Sequence, residues 1–229
     1  MEEKTLIFIP YQDSDNFFSD GILTREFSVL YMLWSAGYKR IINVKKPRTF
    51  LDKKRYKIRE DYYPRGTIEN KVKIILENSE TVQYQPFVNM NQLFCRRAWW
   101  ETGYLQLINR LANLCPNSLV YSDNPFASKL LAYLSQKGCR IYFDIMDNFA
   151  IHPSLNSYEQ KMALEGYKEI FRFSNYISAN SCQTCEYMKP YSPKEICLVK
   201  NGVFLENEVV EKISLPQLEK VKELKMKYK

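Results

Sequence analysis

Short apolar runs alternate with helically spaced apolar residues along most of the chain. An apolar run at residues 5–9 is closed by Pro10, which predicts a buried first strand. Apolar residues then recur at helical spacing between residues 22 and 34, and Gly37 follows where a helix typically ends. The next strand is predicted at 40–44. Strand, helix and strand in this order make a βαβ unit, for which parallel pairing is expected.

The alternation returns after a less regular middle section. The middle predicts strands at 72–76 and 82–85 and a helix at 96–114. The second half predicts strands at 119–121, 140–143, 176–179 and 196–199 and helices at 125–134, 158–173 and 184–189. This pattern predicts one Rossmann-like α/β domain over residues 1–205, with a doubly wound, mainly parallel sheet. Residues 206–229 are charged and predict a linker or an exposed helix.

Composition narrows the class of protein. The chain has 229 residues and 45% of them are hydrophobic, which is enough for one sizeable core. No apolar run reaches the roughly 18–20 residues that span a bilayer. The N-terminus also lacks the basic start and cleavage site of a secretory signal. We therefore expect a cytoplasmic protein whose six cysteines are reduced, buried thiols.

Positive charge is concentrated in one early segment. The net charge is +7. Eight basic residues lie between positions 45 and 59: Lys45, Lys46, Arg48, Lys53, Lys54, Arg55, Lys57 and Arg59. Such a cluster favours an anionic partner, and the candidate is an anionic membrane surface, with the protein peripheral at the inner face of the cell membrane. We expect no nucleic-acid partner. A solvated loop face without any partner is the alternative.

Two carboxylates follow the predicted strand at 140–143. Asp144 and Asp147 lie where this strand ends, and ligands of open α/β sheets bind outside the carboxyl ends of the strands. A pair of acids there could orient sugar hydroxyls, accept a proton or bind a cation. Capping of the next segment by one of the two is the alternative. Asn124 follows the strand at 119–121, where helix capping is the commoner role and substrate contact a second one.

The loop after the first strand is a further candidate. It is polar from Tyr11 to Asp20, and Gly21 and Arg25 lie at the start of the next helix. A glycine lets the backbone approach a ligand, and the helix offers free N–H groups to an anion. Asp20, Gly21 and Arg25 are therefore candidate substrate-binding residues. A simple turn is the alternative, because no GxGxxG fingerprint is present.

The chain carries one cysteine motif, Cys182-x-x-Cys185. A zinc site needs further ligands at matching spacing, and Cys197 and the single histidine, His152, do not complete a set. Buried structural thiols are the favoured interpretation. No metal and no cofactor are expected.

Several short motifs occur in an order that resembles a known family. They are Asn124-Pro125, Phe143-Asp144-Ile145-Met146-Asp147, Glu165, Ser174-Asn175, Asn180-Ser181 and Asn201-Gly202-Val203. The stretch 118–203 resembles the N-terminal domain of GT-B glycosyltransferases of group 1, the family-4-like, retaining type. The chain departs from the family pattern at Phe143, where Tyr is usual, and at Asn175, where Asp is usual. Its first loop has one glycine where two are common.

The resemblance implies a two-domain enzyme that moves a hexose from a nucleotide-sugar to a glycan or lipid-linked acceptor in surface polysaccharide biosynthesis. The N-terminal domain would bind the acceptor, with Asp144 and Asp147 as catalytic residues that orient hydroxyls and Asn201 as a substrate contact. Gly21 and the helix behind it would face the donor phosphates. The donor would bind a C-terminal domain with a Glu-x7-Glu element, which this chain lacks, so we expect the chain alone to be inactive. A non-catalytic module that binds a glycan, a membrane or a partner is the alternative.

Overall fold

A single parallel sheet forms the centre of the computed structural model, which describes residues 4–20, 23–47, 66–84, 100, 103–104, 111 and 117–201. Its strands are β1 (Lys4–Ile9), β2 (Tyr38–Val44), β3 (Glu80–Val82), β4 (Leu119–Ser122), β5 (Arg140–Ile145), β6 (Tyr176–Ala179) and β7 (Cys197–Leu198). They lie in the order β3-β2-β1-β4-β5-β6-β7, and every pairing is parallel. The strand order reverses between β1 and β4, which is the topological switch point of the sheet.

Helices follow most of the strands. They are α1 (Ser14–Asp20), α2 (Arg25–Ser35), α3 (Thr67–Glu77), α4 (Ser128–Gln136), α5 (Ser157–Phe173) and α6 (Cys182–Met188). Short 3₁₀ turns at Pro125–Ala127 and Lys189–Tyr191 precede α4 and follow α6. The predicted Rossmann-like, doubly wound α/β fold is confirmed. None of the helices in the described ranges is both long and apolar enough to cross a bilayer.

The two faces of the sheet carry separate cores. Side chains alternate along a strand, so Leu6 and Phe8 of β1 point to one face and Ile7 and Ile9 to the other. The first face packs against apolar residues of α1, α2 and α3, among them Phe17, Phe27, Leu30, Val72 and Leu76. The second face packs against α4 and α5 through Leu130, Leu131, Leu134, Tyr167, Ile170 and Phe171. Helices of the first half therefore cover one face and helices of the second half the other.

One close contact fixes the first turn after β4. Gly166 of α5 lies against the backbone of Pro125, and a Cβ at Gly166 would come within 2.1 Å of the Pro125 carbonyl oxygen. Because a side chain there would collide with backbone, only glycine lets α5 approach so closely. The segment that joins β4 to α4 is thereby held directly against the middle of α5.

Two sequence-based predictions of local structure are wrong. Residues 72–76, predicted as a strand, belong to α3, where Val72, Ile75 and Leu76 are buried and Ile74 is half exposed. That spacing fits a helix face, and a run this short is ambiguous from periodicity alone. The polar stretch 11–20 was predicted as a loop but contains α1, whose N-terminal backbone N–H groups bind the carboxylate of Asp13.

A shorter third strand and two exposed thiols are further differences from the predicted structure. The strand expected at 82–85 is observed as β3, which ends at Val82. The thiols of Cys182 and Cys197 are exposed and Cys185 is half-buried, so the prediction of buried thiols is wrong for the first two. Cys182 lies in the first turn of the short, surface-lying α6. Gly21, most of the helix expected at 96–114, most of the basic segment and the linker at 206–229 lie outside the described residues.

Candidate functional site

The carboxyl ends of β1, β4 and β5 meet at the switch point and carry a group of polar side chains. Among the predicted site residues, Arg25, Asn124, Asp144, Asp147 and Asn201 are described here. The side chain of Asp20 and all of Gly21 lie outside the described part. We call this region the switch-point site and define it by Arg25, Glu26, Asp123, Asn124, Asp144 and Asp147.

Arg25, the first residue of α2, makes the principal ion pair of the site. Its Nε donates to Asp144 Oδ2 at 2.7 Å and its Nη2 to Asp144 Oδ1 at 3.0 Å, a two-pronged geometry that matches the two planar groups. The remaining Nη1 donates to Asn201 Oδ1 at 3.0 Å. The Asp144 side chain is fully buried and that of Arg25 is 10% exposed. Burial lowers the pKa of Arg25, but the hydrogen bond to Asp144 and the attraction to the Asp144 charge together outweigh it, with smaller contributions from Tyr121 and Tyr142, and the net shift is upward.

Two further hydroxyls complete the surroundings of Asp144. Ser178 donates to Asp144 Oδ1 at 2.5 Å, and Tyr121 donates to Oδ2 at 3.3 Å. Burial raises the pKa of Tyr121 well above its usual value, so its phenol keeps the proton that it donates. Each oxygen of Asp144 thus accepts two hydrogen bonds from protein groups. Asp144 lies within β5 rather than after it, and its contacts make it a positioning residue for Arg25, while its catalytic role stays a prediction.

Asp123 and Asn124 link the loops that follow β1 and β4. Asp123 Oδ1 accepts the backbone N–H of Tyr11 at 2.7 Å, and Asn124 Oδ1 accepts that of Phe126 at 3.0 Å. The bond from Phe126 caps the 3₁₀ turn, which is the capping role predicted for Asn124. Both side chains are buried, yet Asp123 Oδ2 and Asn124 Nδ2 have no hydrogen-bond partner among the described residues.

Glu26 is the site residue that the sequence interpretation missed. It follows Arg25 in the first turn of α2 and is fully buried. Neither of its carboxyl oxygens makes a hydrogen bond of regular geometry among the described residues, although its own backbone N–H and the Thr24 hydroxyl lie close enough to favour the charged carboxylate. A sequence signal did exist, because Glu26 is three and four positions before the buried Val29 and Leu30 and so lies on the apolar face of the helix. An acid on such a face is unusual enough to be a candidate site residue.

Burial and mutual repulsion change the protonation of both acids. Burial raises the pKa of Glu26 to about 7, against hydrogen bonds from its own backbone N–H and from Thr24 that lower it; the charge of Asp147 adds to the rise and that of Lys46 opposes it. Burial also raises the pKa of Asp123 well above its usual value, and the charge of Glu26 is the next cause. Two acids that each disfavour ionisation of the other titrate as a pair rather than singly.

Asp147 lies on a loop that α5 holds in place. The phenol of Tyr167, fully buried in α5, donates to the Asp147 carbonyl oxygen at 2.8 Å and accepts the Phe149 N–H at 3.3 Å. Asp147 itself is exposed at the edge of the site. Its backbone is therefore fixed while its carboxylate faces solvent, which suits a group that contacts a ligand.

Comparison with known proteins adds no family assignment. No protein-family model matches the chain, and no curated protein matches it either. Within the described ranges, no group of three or more His, Cys, Asp or Glu side chains is arranged to hold a metal ion.

The buried ion pair should contribute strongly to stability. Arg25→Met would leave the Asp144 carboxylate buried without its counter-ion, and loss of one partner of such a pair costs about 3–5 kcal/mol. The matched control is Arg40→Met, because the Arg40–Glu80 pair at 3.4 Å is about 40% exposed on both sides and such pairs contribute roughly 0–1 kcal/mol. Urea unfolding of the two variants gives both values, and equal losses would contradict the assignment.

Glu26 should make the folded state less stable as pH rises. Its pKa is raised from 4.5 to about 7 in the folded protein. Between those values the folded state holds more protons than the unfolded state, so the free energy of unfolding falls with increasing pH. The decline amounts to about 3 kcal/mol, since one pKa unit corresponds to about 1.4 kcal/mol.

Glu26→Gln should remove the Glu26 part of that decline and leave the part that comes from the raised pKa of Asp123, whereas Glu77→Gln at the exposed end of α3 should leave the whole decline unchanged. Urea unfolding at a series of pH values measures the slopes. The same slope in Glu26→Gln and in the unaltered protein would refute the assignment.

Proposed function

We propose that this chain is the acceptor-side domain of a retaining GT-B glycosyltransferase and that its switch-point site binds a glycan or lipid-linked acceptor. The observation that carries the proposal is that four of the seven buried side-chain atoms without a regular hydrogen bond in the described residues belong to Glu26, Asp123 and Asn124. Buried polar atoms in folded proteins are almost always hydrogen-bonded, and leaving one unpaired costs about 1–3 kcal/mol. A ligand that supplies the missing bonds explains why such atoms gather at this edge.

A sugar suits the chemistry of these atoms. Each ring hydroxyl both donates and accepts, so it can donate to the free oxygens of Glu26 and Asp123 and accept from the amide of Asn124. The location agrees, because ligands of doubly wound sheets bind at the switch point. The motif order from Asn124-Pro125 to Asn201-Gly202-Val203 supports a glycosyltransferase among the sugar-binding possibilities.

The proposal assigns different roles to the two predicted catalytic acids. Asp147 contacts the acceptor, while Asp144 acts through Arg25 by holding it and Asn201 in place. In the transfer itself, the bond between the anomeric carbon and the donor phosphate oxygen breaks, a bond to the acceptor oxygen forms, and the acceptor hydroxyl proton passes to the departing phosphate oxygen. The nucleotide-sugar is the second substrate and would bind a separate donor domain, because a GT-B enzyme uses two Rossmann-like sheets and the described residues form one.

Binding measurements on this chain test the proposal. We expect ligand-observed NMR to detect neutral mono- and oligosaccharides bound at millimolar strength or tighter, and nucleotide-sugars to bind much more weakly. Asp147→Asn should weaken sugar binding severalfold because a charge-assisted hydrogen bond becomes a neutral one. Glu159→Gln, on the exposed start of α5, is the control variant. Preference for the nucleotide part, or no saccharide binding at all, would argue against an acceptor-side domain.

A further part of the proposal is that the basic segment docks the chain on the anionic inner face of the cell membrane. Two residues of the basic segment are described, and both have local contacts: Lys45 pairs with Asp15 at 2.8 Å and Lys46 donates to Asn16 at 3.2 Å. The docking therefore depends on the remaining six. Replacement of Lys53, Lys54 and Arg55 by Ser should reduce sedimentation with anionic vesicles, since each basic residue contributes about 1 kcal/mol. Equal sedimentation with neutral vesicles would refute the docking.

A further inference from the structure

A cavity of about 480 Å³ lies between the C-terminal half of α5 and the turn that follows α6. We call it the α5 cavity. Because α5 leads into β6 and the turn leads into β7, the cavity is near the amino ends of these strands, at the edge of the sheet opposite the switch-point site. The residues that line it are Lys168, Arg172, Pro190, Tyr191, Ser192 and Pro193.

Contacts among the lining residues hold the two walls of the α5 cavity together. Lys168 Nζ lies 5.4 Å from the centre of the Tyr191 ring, within the range of a cation–π contact. The hydroxyl of Ser192 fixes the turn, since it donates to the Lys194 carbonyl oxygen at 2.8 Å and accepts the Lys194 N–H at 3.2 Å. A proline on each side of this Tyr-Ser pair restricts the backbone further. The cavity is therefore formed in the protein without a ligand.

Positive charge predominates on the face of α5 that borders the cavity. Lys161, Glu165, Lys168 and Arg172 are spaced by four, three and four residues, which places them on one side of the helix. Lys168 Nζ pairs with a Glu165 carboxyl oxygen at 2.8 Å. This hydrogen bond lowers the pKa of Glu165 against the effect of desolvation, and the charges of Lys168, Lys161 and Arg172 lower it further. Three cations thus surround one acid.

Arg172 is the cation of the α5 cavity that a ligand can engage most directly. It lies in the last turn of α5, where a basic residue also balances the partial negative charge of the helix end. The carbonyl oxygen of Ser174 beside it already accepts the ammonium of Lys194. Arg172 is exposed, and no hydrogen bond or ion pair joins its guanidinium to another residue of the described ranges. Its N–H donors are therefore available to an acceptor that enters the cavity.

We propose that the α5 cavity binds a phosphate ester, with the phosphate between Lys168 and Arg172 and the organic part against the Tyr191 ring and the two prolines. The planar fork of an arginine matches phosphate oxygens, and a lysine adds a second positive charge. The volume of about 480 Å³ falls within the roughly 300–1,000 Å³ of small-molecule sites, which leaves room for more than the phosphate. This site goes beyond the proposed function and does not depend on it.

Glu165 should compete with the phosphate for Lys168. Its side chain is 60% exposed, and ion pairs that exposed contribute little to stability. Its negative charge, however, would repel an incoming phosphate. Glu165→Gln should therefore strengthen phosphate binding severalfold and leave the fold unchanged, a gain that a purely structural role of Glu165 would not produce.

Protein-observed NMR on the full chain tests the cavity with three probes: inorganic phosphate, glucose 1-phosphate and phenyl phosphate. We expect millimolar or tighter dissociation constants at low salt, with backbone amide shifts at residues 189–194 and phenyl phosphate binding most tightly, because its ring adds apolar contact. Arg172→Gln and Lys168→Gln should each weaken binding roughly three- to tenfold. Lys137→Gln, exposed just after α4, is the matched control, since it removes the same charge outside the cavity.

Vesicles distinguish a lipid headgroup from a soluble ester as the source of the phosphate. The background is the variant in which Lys53, Lys54 and Arg55 are replaced by Ser, so that the other basic segment does not mask the result. Sedimentation with phosphatidic acid vesicles that falls severalfold in Arg172→Gln supports the site and assigns it to a headgroup. Binding of the soluble probes without such sedimentation supports the site and assigns it to a soluble ester.

Three results would overturn the phosphate site. One is an equal loss of affinity in Lys137→Gln and Arg172→Gln, which would indicate attraction by net charge alone. Another is phenol binding as tightly as phenyl phosphate, which would leave the phosphate without a role. The third is the failure of all three probes to shift signals at residues 189–194. None of these results bears on saccharide binding at the switch-point site.

Discussion

The ion pair between Arg25 and Asp144 is the contact on which the switch-point site depends. It joins the first residue of α2, in the first half of the fold, to β5 in the second half, across the point where strand order reverses. A buried pair of this kind requires both members and a full set of hydrogen bonds. Tyr121, Ser178 and Asn201 provide those bonds, so strands β4 and β6 and the segment after β7 all take part.

The same pair determines where Glu26 lies. Because Arg25 is fixed at the helix start, the next residue, Glu26, is held inside the protein, where its charge raises the pKa of Asp123. The fold therefore retains two acids whose ionisation is unfavourable and whose oxygens are not all paired. Such local conflicts between stability and burial are expected at functional sites and uncommon elsewhere. The contrast with Asp144, also buried but with every oxygen bonded, separates an acid that supports the architecture from acids whose oxygens are not all paired.

Much of the sheet was predictable because strands and helices in this fold carry strong periodic signals. The helix ending near Gly37, which has a φ of 102°, and the strands predicted at 140–143 and 176–179 follow from apolar runs and breakers, and the structure extends the first of these strands to Ile145. The prediction of a strand at 72–76 is wrong because five residues rich in apolar side chains fit both the two-residue period of a strand and the 3.6-residue period of a helix. The positions of the site residues at the ends of strands were predictable from the topology of the sheet. The side chains with which those residues form hydrogen bonds and ion pairs were not. Whether Asp144 is free or bound by Arg25, 119 residues earlier, depends on tertiary packing.

The glycine contact at Gly166 has a mechanical consequence. Since α5 rests directly on the Pro125 carbonyl, the turn that carries Asn124 cannot shift without either moving α5 or opening that contact. The loop that carries Asp147 is tied to the adjacent Tyr167. Two separate segments of the site are thus anchored on neighbouring residues of one helix. Because both segments are anchored on α5, the helix keeps the distance between them constant. A ligand that contacts both segments would therefore meet a preformed spacing rather than having to bring two mobile loops together.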